Sequence, residues 1–134
     1  MTQTVGAVMS NVLVIEDDKT LREVYATILR FSDYTVDVAS NGKTALELCA
    51  KHEYDVILLD LMMPILDGVG FLKQADLEKT APDTKVIIFS NLSSGSLIEE
   101  ALQLGVDEHV LKSHLTPQGL VALVGRYRRT AAGS

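Results

Sequence analysis

Short aliphatic runs alternate with helix-like segments along most of this chain. Continuous aliphatic runs such as Val12–Ile15 are typical of strands that are buried on both faces. Five segments rich in aliphatic, β-branched or aromatic residues predict strands: Val12–Ile15, Tyr34–Ala39, Asp55–Leu59, Lys85–Phe89 and His109–Leu111. Because parallel strands are joined through right-handed crossover helices, this alternation predicts a doubly wound five-stranded parallel sheet between two layers of helices.

The segments between the predicted strands carry the signals of helices. In the first of them, apolar residues recur from Leu21 to Leu29 at the spacing of one helix face. Cap and turn residues predict the other limits: Asp18 as the first N-cap, Lys43–Lys51 for the second helix, Asp67 to Leu77 for the third, the polar loop 93–96 to Gly105 for the fourth, and Thr116-Pro117 as the start of the fifth. The whole pattern is that of an α/β (βα)5 three-layer sandwich with a flavodoxin-like fold.

Length and composition predict one globular domain. With 134 residues and a hydrophobic fraction of 47%, the chain can form a single core. We expect a flexible leader at 1–10, the domain at 11–129 and a C-terminal tail at 130–134. A net charge of −6 argues against direct nucleic-acid binding. No apolar run approaches the roughly 20 residues needed for membrane insertion, and the start lacks a basic signal-peptide region, so the simplest location is cytoplasmic.

Polar residues of complementary kinds stand at the carboxyl ends of four predicted strands. The acidic run 16–18 follows the first strand, Asp60 the third, Ser90 the fourth and Lys112 the fifth. In open α/β sheets, ligands bind at this edge. Carboxylates, a hydroxyl and an ammonium in one crevice suit a divalent metal and a phosphoryl group.

Asp60 is the strongest candidate for chemistry. It follows an aliphatic strand and precedes the loop Leu61–Pro64, which would expose its carboxylate. A carboxylate can attack phosphorus and form an acyl phosphate. Mg²⁺ (or Mn²⁺) would reduce the repulsion between the anions by bridging carboxylate and phosphoryl oxygens. The three acids of the run 16–18 cannot all point into one crevice, and Asp18 is expected to cap the first helix.

Over about Asn11 to Arg128, the chain resembles the receiver domain of two-component response regulators. The matching stretches are VLVIEDD, YDVILLDLMMPILDG, VIIFSN and HVLKS, in the order and at the spacing of that family. The resemblance implies a role for each site residue: Asp60 as phosphoacceptor, Glu16 and Asp17 as the acidic pair near Mg²⁺, Met62 as a backbone-carbonyl metal ligand, Ser90 as switch hydroxyl, Lys112 as phosphate-pairing lysine, and His109 at the switch-aromatic position.

The same resemblance implies a phosphoacceptor signalling switch of the stand-alone, single-domain type. The chain would take a phosphoryl group from a histidine kinase or a histidine phosphotransfer protein. It would then change the surface of its fourth helix, fifth strand and fifth helix (α4-β5-α5) to control a downstream protein target. A phosphorylation-dependent homodimer through the fourth and fifth helices is left open. The chain would not be an enzyme for other substrates, because its catalysis is directed at its own Asp60.

Five positions bear on how far the family pattern carries over. Ser113 stands where the family usually has proline, so we expect a trans bond or an altered loop. Asn91 replaces a small residue and would crowd the phosphoryl entrance, and His109 replaces tyrosine or phenylalanine. Met62 and Leu92 occupy the positions that flank the phosphoryl group. Because both are apolar, they would not orient water, and we expect a long-lived acyl phosphate.

Three other functions compete with the phosphorylation switch. Asn91 and Ser113 leave open a degenerate receiver that acts as a phosphorylation-independent protein-binding module. A Mg²⁺-dependent hydrolase with an aspartyl-phosphate intermediate usually has a second acid two residues after the nucleophile, where this chain has Met62. A flavin carrier of the same fold would need a hydroxyl-rich phosphate loop after the first strand, and this chain has acids there.

Overall fold

The structure is a computed structural model that describes residues 10–91 and 95–127. Its strands form one parallel sheet in the order β2-β1-β3-β4-β5. The elements in chain order are β1 (Asn11–Ile15), α1 (Lys19–Phe31), β2 (Thr35–Ala39), α2 (Gly42–Lys51), β3 (Val56–Asp60), α3 (Gly68–Ala75), α4 (Leu77–Thr80), β4 (Lys85–Ser90), α5 (Ser96–Gln103), β5 (Glu108–Leu111), a 3-10 turn (Lys112–His114) and α6 (Pro117–Gly125). The predicted doubly wound, flavodoxin-like α/β fold is confirmed.

Both faces of the sheet are buried by helices, as the aliphatic strand runs predict. On one face, residues such as Leu13 and Ile57 pack with α2, α3 and α5. On the other, residues such as Val14 and Leu58 pack under α1 and α6. Each fully buried Leu or Ile contributes roughly 1.5–3 kcal/mol relative to exposure, so these two layers supply most of the driving force for folding. No helix in the described part of the chain is long and apolar enough to cross a membrane.

The predicted third helix is interrupted at Asp76. Asp76 adopts a left-handed conformation (φ 48°), so α3 ends at Ala75 and the short helix α4 follows it. A single helix from Asp67 to Leu77 is therefore wrong. Aspartate tolerates this conformation better than most residues, and no glycine marked the break in the sequence. Because α4 is an additional helix, the predicted α4-β5-α5 surface corresponds to α5, β5 and α6 of the structure.

Several predicted element ends are confirmed, and others shift by a residue. The Asp18 carboxylate accepts a hydrogen bond from Leu21 N (3.0 Å), and Thr116 Oγ1 accepts one from Gly119 N (2.9 Å). Strands β3 and β4 run one residue further than predicted, so Asp60 and Ser90 end the strands instead of following them. The cap of α5 is Gly95, without a side-chain hydrogen bond, and positions 93 and 94 lie outside the described residues.

The predicted domain limits at 11 and 129 stay predictions. Of the leader, the structure describes Ser10, which is buried and whose carbonyl accepts a hydrogen bond from Thr35 N (3.1 Å). The remaining leader positions, and those from 128 onwards, lie outside the described residues.

Candidate functional site

The site lies where the direction of strand addition reverses. The chain passes from β1 to β2 on one side and then to β3 on the other side of β1. The loops after β1 and β3 therefore leave in opposite directions and open a crevice at the carboxyl edge of the sheet. Glu16 follows β1 directly, and Asp60 is the last residue of β3.

Three carboxylates meet in this crevice. One oxygen each from Glu16, Asp17 and Asp60 lies within 4.8 Å of the other two. Glu16 is fully buried and Asp60 is 3% exposed, whereas Asp17 is exposed. Asp18 N donates a hydrogen bond to Glu16 Oε2 (3.1 Å), so the start of α1 holds the Glu16 carboxylate in place. The Arg22 guanidinium donates to the backbone carbonyls of Glu16 (2.9 Å) and Asp17 (3.3 Å) and orders the loop that carries them.

Lys112 provides the cation of the crevice. Its Nζ lies 2.7 Å from Glu16 Oε1 and 3.4 Å from Asp60 Oδ2. The same ammonium is 5.5 Å from the centroid of the Phe89 ring, within the range of a cation–π interaction. Tyr25 packs edge-on against Phe89, with ring centroids 5.1 Å apart. Lys112 is thus held between two acids and an aromatic face.

Burial and crowded charge perturb the pKa values of these groups. Burial, followed by the charge and hydrogen bonding of Glu16, raises the pKa of Asp60 to about 7, although Lys112 and the Met62 amide favour the anion. For Lys112, burial alone would lower the pKa. The contacts with Glu16 and Asp60 together outweigh burial and raise the pKa of Lys112. Ionisation of the Asp60 carboxyl group in this crevice therefore costs free energy, and further positive charge nearby would reduce that cost.

The donor set fits a divalent cation. Three carboxylates against one ammonium leave a formal charge of −2, and all the donors are oxygens, the ligands that Mg²⁺ prefers. Glu16 Oε1 is buried and, within the described residues, has the Lys112 ion pair but no hydrogen bond of good geometry. A cation at this position would compensate that oxygen as well.

The other predicted site residues lie around the crevice. Ser90 is buried at the end of β4, and in the sheet register it lies opposite Leu111, one residue before Lys112. His109 is half-buried in β5, opposite Ile88. Met62 N donates to Asp60 Oδ1 (3.2 Å), while the Met62 side chain is 58% exposed at the entrance.

The positions at which the chain departs from the family pattern are also at this edge. Asn91 is exposed directly after Ser90, and Ser113 lies in the 3-10 turn that follows β5. No cis peptide bond occurs in residues 10–91 and 95–127, so the bond between Lys112 and Ser113 is trans, as expected. Leu92, predicted to tune hydrolysis, lies outside the described residues.

Sequence reasoning missed the residues that position the charged groups. Arg22 had no distinguishing signal, since an arginine on a surface helix is common. Phe89 and Tyr25 read as ordinary core residues. The contact of Phe89 with Lys112 and the packing of Tyr25 on Phe89 depend on how α1 and β5 pack around the end of β4, which no local pattern encodes.

The fold and the carboxylate crevice at its switch point define a class of small α/β domains with a ligand site at the carboxyl edge of the sheet, and comparison with known proteins makes the class specific. The family model described as the response regulator receiver domain matches residues 12–124. The chain belongs to this family, the receiver domains of two-component response regulators.

Individual relatives agree with this assignment. The response regulator MprA of Mycolicibacterium vanbaalenii is 33% identical over 119 residues, which cover 89% of this chain and 51% of that protein. The chain therefore spans about half the length of the curated relatives it matches. The Francisella response regulator 1452 receiver domain is 36% identical, with a TM-score of 0.77 over 88% of this chain and 95% of that one. A CheY-like receiver domain protein from Methanospirillum hungatei shares the fold, with a TM-score of 0.82 at 23% identity over 89% of this chain and 93% of that one.

Proposed function

We propose that this receiver is a cytoplasmic phosphoacceptor switch that is phosphorylated on Asp60. The phosphodonor is a histidine kinase or a histidine phosphotransfer protein. The observation that carries the proposal is the approach of the Glu16, Asp17 and Asp60 carboxylates to within 4.8 Å, with Lys112 beside them. Glu16, Asp17, Asp60 and the carbonyl of Met62 would hold Mg²⁺, which lowers the repulsion between the carboxylate and the incoming phosphoryl group.

The residues of the chain then have distinct roles in phosphoryl transfer. An Asp60 carboxylate oxygen attacks phosphorus in line with the bond to the donor nitrogen, so a P–O bond forms as the P–N bond breaks. Lys112, already 3.4 Å from Asp60, pairs with a phosphoryl oxygen. The Ser90 hydroxyl donates a hydrogen bond to another phosphoryl oxygen. Both residues therefore stabilise the phosphorylated state selectively.

Labelling with acetyl phosphate, a small phosphodonor, tests this function. The wild type with Mg²⁺ should incorporate one phosphoryl group per chain in a burst and then release phosphate only slowly. Sustained turnover of phosphate esters would instead indicate the hydrolase. A folded chain that accepts no phosphoryl group would indicate the phosphorylation-independent binding module.

The downstream partner belongs to the proposal as well. The matched part of this chain spans about half the length of the curated relatives, and one of them is named a probable transcriptional regulator from Cyanidium caldarium. We propose that the switch acts on a protein target, which is either a separate protein or an output region joined to this receiver. A phosphorylation-dependent homodimer is a further form of the same output.

Phosphorylation should change the surface formed by α5, β5 and α6. The contacts of Ser90 and Lys112 with the phosphoryl group exist only in the phosphorylated state. They therefore distinguish it from the unphosphorylated state, as a population shift requires. As Ser90 moves toward the phosphoryl oxygens, the His109 side chain can turn into the space that Ser90 leaves. Glu108 of β5 is held by Arg126 (2.8 and 2.9 Å) and Tyr127 (2.7 Å), so movement of β5 reaches the end of α6. With Mg²⁺ and beryllofluoride, the largest NMR shift changes are expected in residues 90–115.

The variant Ser90→Ala serves as the control for this switch. It keeps Asp60 and the metal ligands but removes the hydroxyl, so the shift changes beyond the crevice should become smaller. Wild-type changes confined to the loops that carry Glu16 and Asp60 would show that no switch is transmitted.

The acyl phosphate is expected to be long-lived. Met62 is 58% exposed at the entrance, and its apolar side chain offers hydrolytic water no hydrogen bond. Installing polar groups in Met62→Asn/Leu92→Glu should speed loss of phosphate by about tenfold or more, because such groups orient the attacking water. Met62→Leu, which stays apolar, should keep the wild-type lifetime. A double variant that loses phosphate no faster than the wild type would contradict the proposed role of these side chains.

A further inference from the structure

A cavity of about 280 Å³ opens at the amino edge of the sheet, at the opposite end of the strands from the carboxylate crevice. Its floor and walls are apolar or aromatic: Tyr54 and Ile57 at the start of β3, Leu46 and Cys49 of α2, and Ala75 and Leu77 on either side of the break between α3 and α4. The break at Asp76 therefore places α4 as one wall of this cavity.

The walls leave apolar surface that the core does not bury. Leu46, Cys49, Ala75 and Leu77 pack against the core layer that contains Ile57, but each of the four is only half-buried. All four line the cavity. Removal of such surface from water is favourable. A molecule that fills the cavity would therefore gain binding free energy from side chains that are already in place.

Hydrogen bonds fix the floor and one wall of the cavity. Thr84 Oγ1 donates to Tyr54 O (2.6 Å), and the Tyr54 hydroxyl donates to Asp37 Oδ2 (2.7 Å), so the floor is held at both its backbone and its side chain. Thr80 Oγ1 donates to Ala75 O (3.0 Å), which joins α4 to the end of α3. A cavity with fixed walls costs little ordering free energy when a ligand binds.

The chemistry of the lining favours an uncharged ligand. Glu53 is the acidic residue of the lining, which contains no lysine or arginine, so a buried anion would find no cation there. Burial raises the pKa of the Cys49 thiol to about 11, so this wall carries no thiolate to pair with a cation. The hydroxyls of Tyr54, Thr80 and Thr84 already donate within the chain. The interior thus offers mainly apolar contact.

Size and surroundings favour a small molecule over a protein segment. The volume is about twice the roughly 150 Å³ that holds one benzene molecule, which corresponds to about two fused rings. Exposed polar residues, His52, Glu53 and Gln74, stand around the mouth. In the described part of the chain, the most exposed large hydrophobic side chain, Phe31 (87%), does not line this cavity. A protein partner would need an apolar surface around the mouth, because the centres of protein interfaces are apolar.

We propose that this cavity is a binding site for a small, uncharged, largely apolar molecule of about the size of indole. The ligand lies on Ile57 and Tyr54, with Cys49 at its side. The Tyr54 ring packs against His52, with ring centroids 6.3 Å apart, and gives the floor an aromatic surface that suits a ring-containing ligand. The proposal does not depend on phosphorylation of Asp60.

Titration of the full chain with indole, followed by NMR without Mg²⁺ or phosphodonor, tests the site. The shift changes should saturate and should be concentrated in residues 46–57 and 74–84. Indole-3-acetate has the same ring system with a carboxylate, and it should bind at least about tenfold more weakly because this anion would be unpaired. Cys49 is the only cysteine of the chain, so alkylation by N-ethylmaleimide reports on this wall alone. Saturating indole should slow that alkylation severalfold.

Two substitutions at Cys49 separate occupation of the cavity from loss of the thiol. Cys49→Phe fills the cavity and should weaken indole binding by at least about tenfold, since even one methylene in an apolar pocket changes affinity by that order. Cys49→Ala keeps the cavity open and should bind indole at least as well as the wild type. Ala50→Leu narrows the mouth from an exposed helical position, and it repeats the test if Cys49→Phe does not fold.

Four results would overturn the proposal. Shift changes that do not saturate, or that are scattered over the surface, would show that there is no site. Equal binding of indole-3-acetate would contradict an uncharged ligand. Unchanged binding to the filled or narrowed variants, with shift changes centred on the groove between α1 and α6 near Phe31, would assign the ligand to that groove. Dilution of the protein alone that changes the resonances of residues 46–57 and 74–84 would assign the cavity to a second copy of the chain.

Discussion

Asp60→Asn is expected to abolish phosphorylation, with incorporation at least about a hundredfold below the wild type, because a neutral amide lacks the nucleophilic carboxylate oxygen. The measurement is phosphoryl incorporation from acetyl phosphate with Mg²⁺, followed by mass spectrometry of the intact chain. Asn has nearly the size of Asp, and its side-chain oxygen can still accept the hydrogen bond that Met62 N donates to Asp60 Oδ1. The loss should therefore arise from chemistry and not from unfolding.

The stability of Asp60→Asn provides an independent check of folding. Burial and Glu16 raise the pKa of Asp60 from 3.8 to about 7 in the folded chain. A raised pKa means that the folded state favours the protonated acid. Without added metal, the wild type should lose stability as pH rises from the unfolded pKa through about 7, and this contribution should be absent from the variant. The variant is thus expected to be the more stable chain at pH 8.

Asp83→Asn is the matched control for charge. Asp83 is exposed in the turn before β4, at the opposite edge of the sheet from the crevice. Its substitution changes net charge by the same amount and should leave labelling intact. Undiminished labelling of Asp60→Asn, or a phosphoryl group on another residue of the wild type, would contradict the assignment of Asp60.

Asp17→Asn should weaken Mg²⁺ binding by about tenfold or more, since it removes one of three carboxylates from a site that depends on charge. Asp17 is the exposed member of the cluster, so its substitution should leave the fold intact. Glu16 is buried against Lys112, and its substitution would remove the nearer of the two carboxylates that pair with this ammonium, so it is a poorer choice for the test. Mg²⁺ titration by calorimetry measures the affinity directly. Labelling of Asp17→Asn should fall at low Mg²⁺ and recover when Mg²⁺ is raised.

Asp18→Asn distinguishes ligation from general charge. Asn caps helices about as well as Asp, so the cap of α1 is kept while the same charge is removed one residue away. The Asp18 carboxylate caps Leu21 N and is not part of the acidic cluster. Its loss should change Mg²⁺ affinity only slightly. An equal loss of affinity in both variants would indicate diffuse electrostatic attraction without a specific ligand at Asp17.

The sequence by itself determined the fold, and it placed the main members of the candidate site at one edge of the sheet. Aliphatic runs at regular intervals left little alternative to a parallel sheet covered on both faces, because such runs must be buried on both sides. In this fold the carboxyl ends of the strands share one edge, so Glu16, Asp60 and Lys112 could be placed together before any contact was known. The caps at Asp18 and Thr116 were also readable, because capping depends on residues only three apart.

Tertiary structure decided the contacts that set the chemistry and the strain. The pairing of Lys112 with Glu16 and Asp60 brings together three strand ends, and the raised pKa of Asp60 follows from burial among them. The break at Asp76 and the γ-turn at Ile65 contradict local preference, since neither residue favours positive φ as glycine does. At Ile65, the contacts of the neighbouring Leu66 with α2 and α3 impose the turn. Local propensities amount to about 1 kcal/mol per residue, and packing summed over many neighbours overrides them.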